Sequence, residues 1–436
     1  MTAHQTRVEL FIGKGGVGKT TLACATAMAE AGAGRRVLVA SLDQAHSLGD
    51  ALGFRFPHDP GTVTGVATVL PGLDVIEVDS LALLEDRFRD VVRMISTGRG
   101  HEHGIDLAAL NPAELTGLPG VQELLMLVEI AQFAAEDDWD LIVLDCPPSA
   151  DMLRIVTAPG TLLGYVERMW PPHARAMSAT GTDLRRAVLA ATVERIVMAV
   201  TEVRDLLADH RRTGARLVTV PERVAVAESE RVRSAATLLG LRLDAVLVNK
   251  VLPDLPPPTD PAGAEHPAVQ WYSHRRAEQS EVIADLRSKM PGIPVVIAQH
   301  TGPEPIGLNS LAALSRAMES AGDTGDAALM LSDNQTEVDA SSGEPLVLRE
   351  SGTGLQSVYA LRMHLPVVDA ATLRLGRVED DLIVGADGVR RRVRLAPVLR
   401  RCTVDSAELD DEFLVIRFRP DPRVWAHASE SDGHDR

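Results

Sequence analysis

A glycine-rich run lies between a short apolar segment and an alanine-rich segment near the start of the chain. Residues 8–12 are apolar, Gly13–Thr21 reads GKGGVGKTT, and residues 20–33 are rich in alanine, the strongest helix former. A second apolar run, Val37–Ala40, follows. A strand, a glycine loop, a helix and a strand in this order predict a parallel βαβ unit and place the chain in the α/β class.

The same run fits the pattern G-x-x-x-x-G-K-T in the setting that this pattern requires, after a strand and at the start of a helix. Glycines let the backbone approach phosphate oxygens closely, and amide N–H groups at the helix start supply positive potential. Lys19 is expected to bind phosphate and Thr20 to offer its hydroxyl to Mg²⁺. The predicted nucleotide contacts in this loop are Gly13, Lys14, Gly15, Gly16, Val17, Gly18, Lys19, Thr20 and Thr21.

Three later apolar runs extend the predicted sheet, which we expect to be mostly parallel and flanked by helices. Leu141–Leu144 and Ala245–Val248 end at polar residues, Asp145 and Asn249 respectively, and Pro294–Ala298 is a further strand. Ligands of open α/β sheets bind at the carboxyl ends of the strands. Asp145 and Asn249 are therefore predicted to lie at the same edge of the sheet as the glycine loop.

Changes in composition and in hydrophobic period divide the chain. Two mostly helical regions, at about 83–135 and 165–240, are predicted as insertions within residues 1–320. Residues 321–344 include six acidic residues and no basic one, which is typical of a solvated linker. After residue 344, apolar and polar residues alternate within short runs that are separated by turn residues, which predicts a small all-β sandwich. The predicted parts are an α/β domain at 1–320, an acidic linker at 321–344, a β domain at 345–421 and a polar tail at 422–436.

Charge and cysteine content exclude several classes of protein. The 44 Lys and Arg residues are outnumbered by 61 Asp and Glu residues, giving a net charge of −17, so nucleic-acid binding is not expected. The sequence lacks a long apolar run and a secretory signal, which predicts a cytoplasmic protein. Its three cysteines, Cys24, Cys146 and Cys402, form no C-x-x-C pair, so no structural zinc is expected.

The loop sequence GKGGVGKT resembles the deviant Walker A motif of the NTPases that include MinD, ParA, the nitrogenase iron protein and the ArsA ATPases. In that family, a lysine at the position of Lys14 reaches across a dimer interface to the nucleotide of the partner subunit. A cation placed there does the work of an arginine finger. The resemblance implies that hydrolysis requires dimerisation, as a homodimer or as a heterodimer with a related ATPase.

Two more segments resemble the ArsA branch, which includes ATPases that drive arsenical pumps and ATPases that target tail-anchored membrane proteins. Residues 41–50 read SLDQAHSLGD and are similar to the branch's switch I motif. This resemblance gives Asp43 the role of directing the attacking water beside the γ-phosphate, and it adds Asp43 to Thr20 and Asp145 as a predicted Mg²⁺ residue. Residues 145–149 read DCPPS and resemble the Walker B and switch II segment, which implies that Asp145 holds Mg²⁺.

Later segments extend the resemblance to ArsA-like proteins. The runs 219–231 and 246–253 are similar to family runs in which an asparagine at the position of Asn249 recognises adenine. The segment 303–308 resembles the loop that closes over the base, which adds Pro303 and Glu304 to the predicted ATP contacts.

The predicted β domain has its own resemblance. Residues 359–366 and 382–397 are similar to the α-crystallin-type domain of some bacterial ArsA-like ATPases. Such a sandwich often mediates protein contacts, so it is a candidate site for a partner.

These resemblances imply a Mg²⁺-dependent ATPase that acts as a dimeric molecular switch and couples its nucleotide state to a protein partner or a membrane-transport component. Arsenite binding is not expected, because As(III) requires thiolates and the three cysteines lie in separate segments. One alternative is a nucleotide-gated module that binds membrane-protein clients with little hydrolysis, since methionines occur in the predicted helical regions. Another is a positioning ATPase of the MinD or ParA type, which predicts an amphipathic tail or a basic face that the sequence lacks.

Overall fold

A computed structural model describes most of the two parts of the chain that were predicted to fold. The described residues are 5–43, 47–56, 65–76, 83, 85, 121–181, 183–256, 266–320, 345–365, 368, 370–386, 388–410 and 412–425. The chain divides into two units, the first composed of Met1–Ser229 and Leu243–Ser332, the second of Glu230–Arg242 and Asp333–Arg436.

Eight strands of unit 1 form one sheet. They are β1 (Arg7–Gly13), β2 (Val37–Ser41), β3 (Ala67–Leu70), β4 (Leu73–Ile76), β5 (Leu141–Asp145), β6 (Thr213–Thr219), β7 (Leu243–Val251) and β8 (Val295–Gln299). Their order is β3-β4-β2-β5-β1-β6-β7-β8, and each neighbouring pair is parallel except β3 with β4. The prediction of a mostly parallel sheet is confirmed.

Helices cover both faces of this sheet. The described helices of unit 1 are α1 (Lys19–Gly32), α2 (Ser47–Leu52), α3 (Val121–Glu136), α4 (Ser149–Met169), α5 (Pro172–Ala179), α6 (Leu184–Ala208), the first part of α7 (Arg223–Leu239), α8 (Pro267–Lys289) and α9 (Leu308–Ser320). Leu22 of α1, Leu48 of α2 and Leu314 of α9 form one core with Phe11 and Val143 of the sheet. Alternate strand residues such as Leu10 and Ile142 are buried on the opposite face, which explains why these strands are apolar throughout.

The structure adds a strand to one of the two predicted helical regions, and most of the other region lies outside the described residues. The region 165–240, which was expected to be mostly helical, also contains β6, a fully buried strand between β1 and β7. β6 includes charged Arg216 and turn-forming Gly214, and these residues concealed its strand character from the sequence pattern. Of the region 83–135, only residues 83, 85 and 121–135 are described; the predicted linker 321–344 and the tail after residue 425 lie outside the described residues.

Unit 2 contains a sandwich of two antiparallel sheets. Its elements are β9 (Leu346–Ser351), a 3₁₀ turn (Gly354–Gln356), β10 (Val358–His364), β11 (Arg374–Val378), β12 (Asp381–Ala386), β13 (Val389–Arg394), α10 (Pro397–Arg400), β14 (Cys402–Asp410), β15 (Phe413–Pro420) and α11 (Pro422–Trp425). The sheet orders are β14-β15-β10-β9 and β11-β12-β13, and side chains such as Leu361, Val384 and Phe418 bury one core between them. The predicted all-β module is confirmed.

The second unit includes a segment that the sequence analysis placed in the α/β domain. Residues 230–242, which comprise the end of α7 and the turn after it, group with unit 2. Leu238 is fully buried in the sandwich core, and its carbonyl accepts a hydrogen bond from Arg391. The predicted boundary at residue 320 therefore does not separate the two units by itself.

Candidate nucleotide site

Four strands bring functional residues to one edge of the sheet in unit 1. β1 ends at Gly13, β2 at Ser41 and β5 at Asp145, while Asn249 lies near the end of β7. These strands are parallel, so their carboxyl ends share one edge, as the sequence predicted. The glycine loop Gly13–Thr21, called the phosphate loop below, crosses this edge and leads into α1.

Two glycines of the phosphate loop are required by close contacts. A Cβ atom added at Gly13 would overlap with the Val218 carbonyl, and one added at Gly18 would overlap with the Asn249 side-chain amide. Gly18 also has a φ of 93° as the residue that caps α1. Glycine alone tolerates both constraints, so the loop can pack directly on β6 and β7.

Lys19, the predicted phosphate lysine, lies across its own loop. Its side chain is buried, and Nζ donates a hydrogen bond to the Lys14 carbonyl at 3.3 Å. The loop therefore holds the ammonium group beside the amides that would surround a phosphate. Thr21, the last predicted contact of the loop, lies half-buried in the first turn of α1.

A cluster of oxygen atoms surrounds the start of α1. Thr20 Oγ1 donates to Asp145 Oδ2 at 2.7 Å and lies 3.1 Å from Ser47 Oγ of α2. Ser41 Oγ lies 3.5 Å from the same carboxylate oxygen. The other oxygen, Asp145 Oδ1, is buried and has no hydrogen-bond partner among the described residues. An orphaned carboxylate oxygen beside two hydroxyl groups is a donor set that fits a hard cation such as Mg²⁺.

Burial disfavours the ionised form of the Asp145 carboxyl group. Burial raises the pKa of Asp145 to about 6, although the Thr20 hydrogen bond and the positive charge of Lys19 both lower it. The negative charge of Asp43 raises the pKa of Asp145 further, so the two carboxylates are close enough to interact electrostatically. A divalent cation would remove this penalty. Within the described residues, no group of three His, Cys, Asp or Glu side chains could hold a metal ion, so a cation here would rely on hydroxyl groups, water and phosphate.

Asp43, the predicted water-directing residue, follows the end of β2. Its backbone N–H donates to Ser41 Oγ at 3.1 Å, and Ser41 Oγ also contacts the Asp43 carbonyl at 3.3 Å. Ser41 therefore links the backbone at Asp43 to Asp145. Residues 44–46, the next part of the switch I segment, lie outside the described residues.

Lys14 extends from the phosphate loop and is half-exposed. Its Nζ lies 3.6 Å from Glu228 Oε2 on α7, and Ser149 Oγ at the start of α4 lies 3.5 Å from Glu228 Oε1. Glu228 thus connects the loop lysine to the first residue of the helix that follows Asp145. A half-exposed pair of this kind contributes only about 0–1 kcal/mol, so Lys14 can leave it easily.

Asn249, the predicted adenine reader, contacts the phosphate loop. Its Nδ2 donates to the Val17 carbonyl at 2.8 Å, and its Oδ1 accepts the Lys250 N–H at 2.9 Å. Lys250 Nζ donates to the Gly16 carbonyl at 3.0 Å. The structure therefore gives the Asn249 amide two contacts within the protein, and adenine recognition by this residue stays a prediction.

The predicted base-closing loop lies next to α2. Pro303 and Glu304 are exposed, and the loop is fixed where the Gly307 N–H donates to the Ala51 carbonyl at 2.9 Å. This contact joins the loop to the helix that follows switch I. The assignment of Pro303 and Glu304 to the nucleotide stays a prediction.

The three cysteines are buried as free thiols in three different elements. Burial raises the thiol pKa values of Cys24 on α1, Cys146 after β5 and Cys402 on β14. The thiolate is the form that binds soft ions. Among the described helices, none is both long and apolar enough to span a membrane.

Sequence reasoning missed four residues that the structure places at the site: Ser41, Ser47, Glu228 and Lys250. Both serines belong to the switch I segment, where hydroxyl groups next to a predicted Mg²⁺ residue were a usable signal. Glu228 and Lys250 each lie in a family-like run but gave no local signal, because their partners in the phosphate loop are more than 200 positions away.

Comparisons with known proteins match both predicted parts of the chain. Residues 6–320 match the family model described as anion-transporting ATPase, and residues 356–418 match an HSP20-like domain found in ArsA. The chain is 44% identical to Protein Rv2184c of Mycobacterium tuberculosis over 97% of this chain and 98% of that protein. It is 26% identical to an Aquifex aeolicus protein named "Putative arsenical pump-driving ATPase 1", over 94% of this chain and 99% of the relative. Identity to the ATPase ASNA1 homolog of Entamoeba histolytica is 27%, over 57% of this chain and 78% of the relative.

Proposed function

We propose that this chain, which belongs to the anion-transporting ATPase family, binds ATP with Mg²⁺ at the phosphate loop and hydrolyses it to ADP and phosphate. The observation that carries the proposal is the buried Asp145 carboxylate, in which one oxygen accepts from Thr20 and the other has no partner in the described part of the chain. A strand-end carboxylate and a helix-start hydroxyl are the groups that hold Mg²⁺ beside a phosphate loop. Burying an ion without a full set of partners is costly unless a cation completes it.

The loop amides and the side chains around them have separate roles in this proposal. Backbone amides of the phosphate loop bind the β- and γ-phosphates, and Lys19 exchanges its bond to the Lys14 carbonyl for a phosphate oxygen. Thr20 and Asp145 hold Mg²⁺, which neutralises charge on the phosphates when it is bound. Asp43 orients the attacking water, and Ser41 fixes its backbone beside Asp145.

Lys14 gives the proposed switch its dependence on dimerisation. Its ammonium group is held by Glu228 at 3.6 Å, and its side chain is 52% exposed, so it is available to a second subunit. In the proposed dimer, Lys14 enters the partner's site and stabilises the negative charge that develops on the γ-phosphate. The second subunit is another copy of this chain or a related ATPase.

Steady-state phosphate release with and without Mg²⁺ tests these roles. We expect hydrolysis by the wild type that is lost on removing Mg²⁺ and falls by about 10³-fold in Lys14→Ala, the lower end of the effect of an arginine finger. Asp43→Asn should lose hydrolysis but retain ATP binding. Lys289→Ala is the matched control, because Lys289 lies on the surface of α8 and pairs with Asp285. Hydrolysis that survives both substitutions would refute the assigned roles.

The proposed downstream event is a change in the contact with a protein partner in the cytoplasm or at the membrane, through a membrane protein or a transporter component. Burial of all three thiols supports a function without arsenite. Adding arsenite or antimonite to the same assay checks this point, and stimulation of hydrolysis would contradict it.

One observation favours a second candidate function, the nucleotide-gated binding of apolar client segments with little hydrolysis. Met169 at the end of α4 is 84% exposed, Met177 on α5 is 74% exposed and Met198 on α6 is 52% exposed. Flexible methionine side chains suit adaptable apolar surfaces. Binding of a fluorescent transmembrane-segment peptide with ATP or with ADP tests this function. Equal affinity in both states, or none, would exclude it.

A further inference from the structure

Strand β7 departs from regular geometry where it passes the phosphate loop. In its pairing with β8, Val248 lies opposite Ile297 and Val251 lies opposite Gln299, so β7 has one more residue than β8 across this interval. Such a bulge redirects side chains and is common beside active sites. The residues within it are Asn249 and Lys250.

Lys250 adopts an unusual backbone conformation at this bulge. Its φ is +60°, and the other two described non-glycine residues with positive φ, Asp137 and Glu379, lie in turns. Lys250 alone of the three lies within a strand. A conformation of this kind persists only where the surroundings enforce it, and it is concentrated at functional sites.

A buried glutamine on the neighbouring helix enforces the bulge. Gln279 of α8 accepts the Leu252 N–H at its Oε1 at 2.8 Å, and its Nε2 donates to the Lys250 carbonyl at 3.4 Å. Asn249 Oδ1 accepts the Lys250 N–H on the other side. Both backbone polar groups of Lys250 are therefore occupied within the protein.

Two consecutive carbonyls of the phosphate loop bind the bulge. The Gly16 carbonyl accepts from Lys250 Nζ at 3.0 Å, and the Val17 carbonyl accepts from Asn249 Nδ2 at 2.8 Å. In a planar trans peptide, the carbonyl and the next N–H point in opposite directions. The N–H groups of Val17 and Gly18 are therefore turned away from the Lys250 ammonium group and the Asn249 amide.

We infer that Lys250 is a positioning residue for nucleotide phosphate, acting with Asn249 through the carbonyls of the phosphate loop. Its ammonium group fixes the Gly16–Val17 peptide so that the Val17 N–H is available to an anion, and Asn249 does the same for Gly18. This inference rests on the proposed function, because it requires that the loop binds nucleotide phosphate. It assigns a role to a third lysine of a chain that contains only four.

The test measures the affinity of the full chain for a non-hydrolysable ATP analogue with Mg²⁺, by isothermal titration. Lys250→Met removes the ammonium and keeps the strained φ, whereas Lys250→Gly removes the ammonium and relieves the strain. We expect both variants to bind about tenfold more weakly, the loss of one charge-assisted hydrogen bond, and Lys250→Arg to recover most of the affinity. The glycine variant should melt at a higher temperature than the methionine variant.

The controls separate this inference from the proposed function and from a purely structural role. Lys289→Met removes a surface lysine of α8 and should bind as the wild type does. If the wild type itself binds no nucleotide, the proposed function fails. If it binds and Lys250→Met binds equally well, only the positioning role fails. Wild-type affinity in Lys250→Gly together with weak binding in Lys250→Met would assign the effect to backbone strain and would also overturn the inference.

Discussion

Removal of the Arg216 guanidinium should destabilise unit 1 strongly. Arg216 on β6 donates from Nε to Glu9 Oε1 on β1 at 3.0 Å, and each side chain is only 2% exposed. Arg216→Met keeps much of the volume but leaves the Glu9 carboxylate buried without its cation. Breaking a buried ion pair from one side costs about 3–5 kcal/mol of the free energy of unfolding. The double variant Glu9→Leu/Arg216→Met should recover most of this loss, because apolar replacement of both partners is close to neutral.

The pH dependence of this effect has a definite sign. Burial raises the pKa of Glu9 from 4.5 to about 7, against the lowering effect of Arg216. The folded chain therefore keeps a proton that the unfolded chain releases, so this contribution to stability is present below about pH 4.5 and is lost as the pH rises through about 7. Without Arg216 the pKa of Glu9 rises further. The difference in the free energy of unfolding between the wild type and Arg216→Met should therefore grow between pH 5 and pH 8.

Urea unfolding followed by circular dichroism at both pH values measures these differences. Arg204→Met is the matched control, because Arg204 is 50% exposed and pairs with Asp205 on the surface of α6. Its stability should change by no more than about 0.5 kcal/mol. The reasoning is refuted if Arg216→Met is as stable as Arg204→Met, or if its deficit is the same at both pH values.

Three other outcomes concern the nucleotide site. Asp145→Asn should abolish Mg²⁺-dependent hydrolysis and raise the melting temperature, because the amide keeps an acceptor for Thr20 without burying a charge; a thermal-shift assay checks this, and a lower melting temperature would contradict it. Glu228→Gln should change basal phosphate release by no more than about threefold, since a half-exposed ion pair contributes under about 1 kcal/mol. A loss of tenfold or more would mean that the carboxylate is required for hydrolysis. Cys24 and Cys146 should react with a thiol reagent only in urea, and rapid labelling of the folded chain would contradict their burial.

The residues that could be predicted from the sequence are those whose role depends on neighbours along the chain. The phosphate loop Gly13–Thr21 carries its own strand, turn and helix signals, so its fold followed from local pattern. Asp145 was predicted because it ends an apolar run at the edge where parallel strands place ligands. The sandwich of unit 2 followed from its period of two.

The remaining features depend on contacts between distant segments. β6 was missed because a buried strand can carry a charged residue when a residue on the next strand compensates the charge, as Glu9 does for Arg216. Lys250 was noticed only as a neighbour of Asn249, because a bulge in β7 decides where its side chain goes. The contact of Asn249 with the Val17 carbonyl depends on how closely Gly18 packs on β7, a distance that no spacing along the chain encodes.

The inclusion of residues 230–242 in unit 2 has a consequence for synthesis of the chain. Leu238 leaves the ribosome more than 100 residues before the last strand of the sandwich core, which ends at Pro420. The sandwich therefore cannot complete its core until almost the whole chain has been made. A fragment that begins at residue 345 would lack Leu238 and leave a cavity in its place, which costs about 2–5 kcal/mol for a buried leucine. The β domain of this protein is thus not a portable module, and an isolated version needs the α7 segment supplied with it.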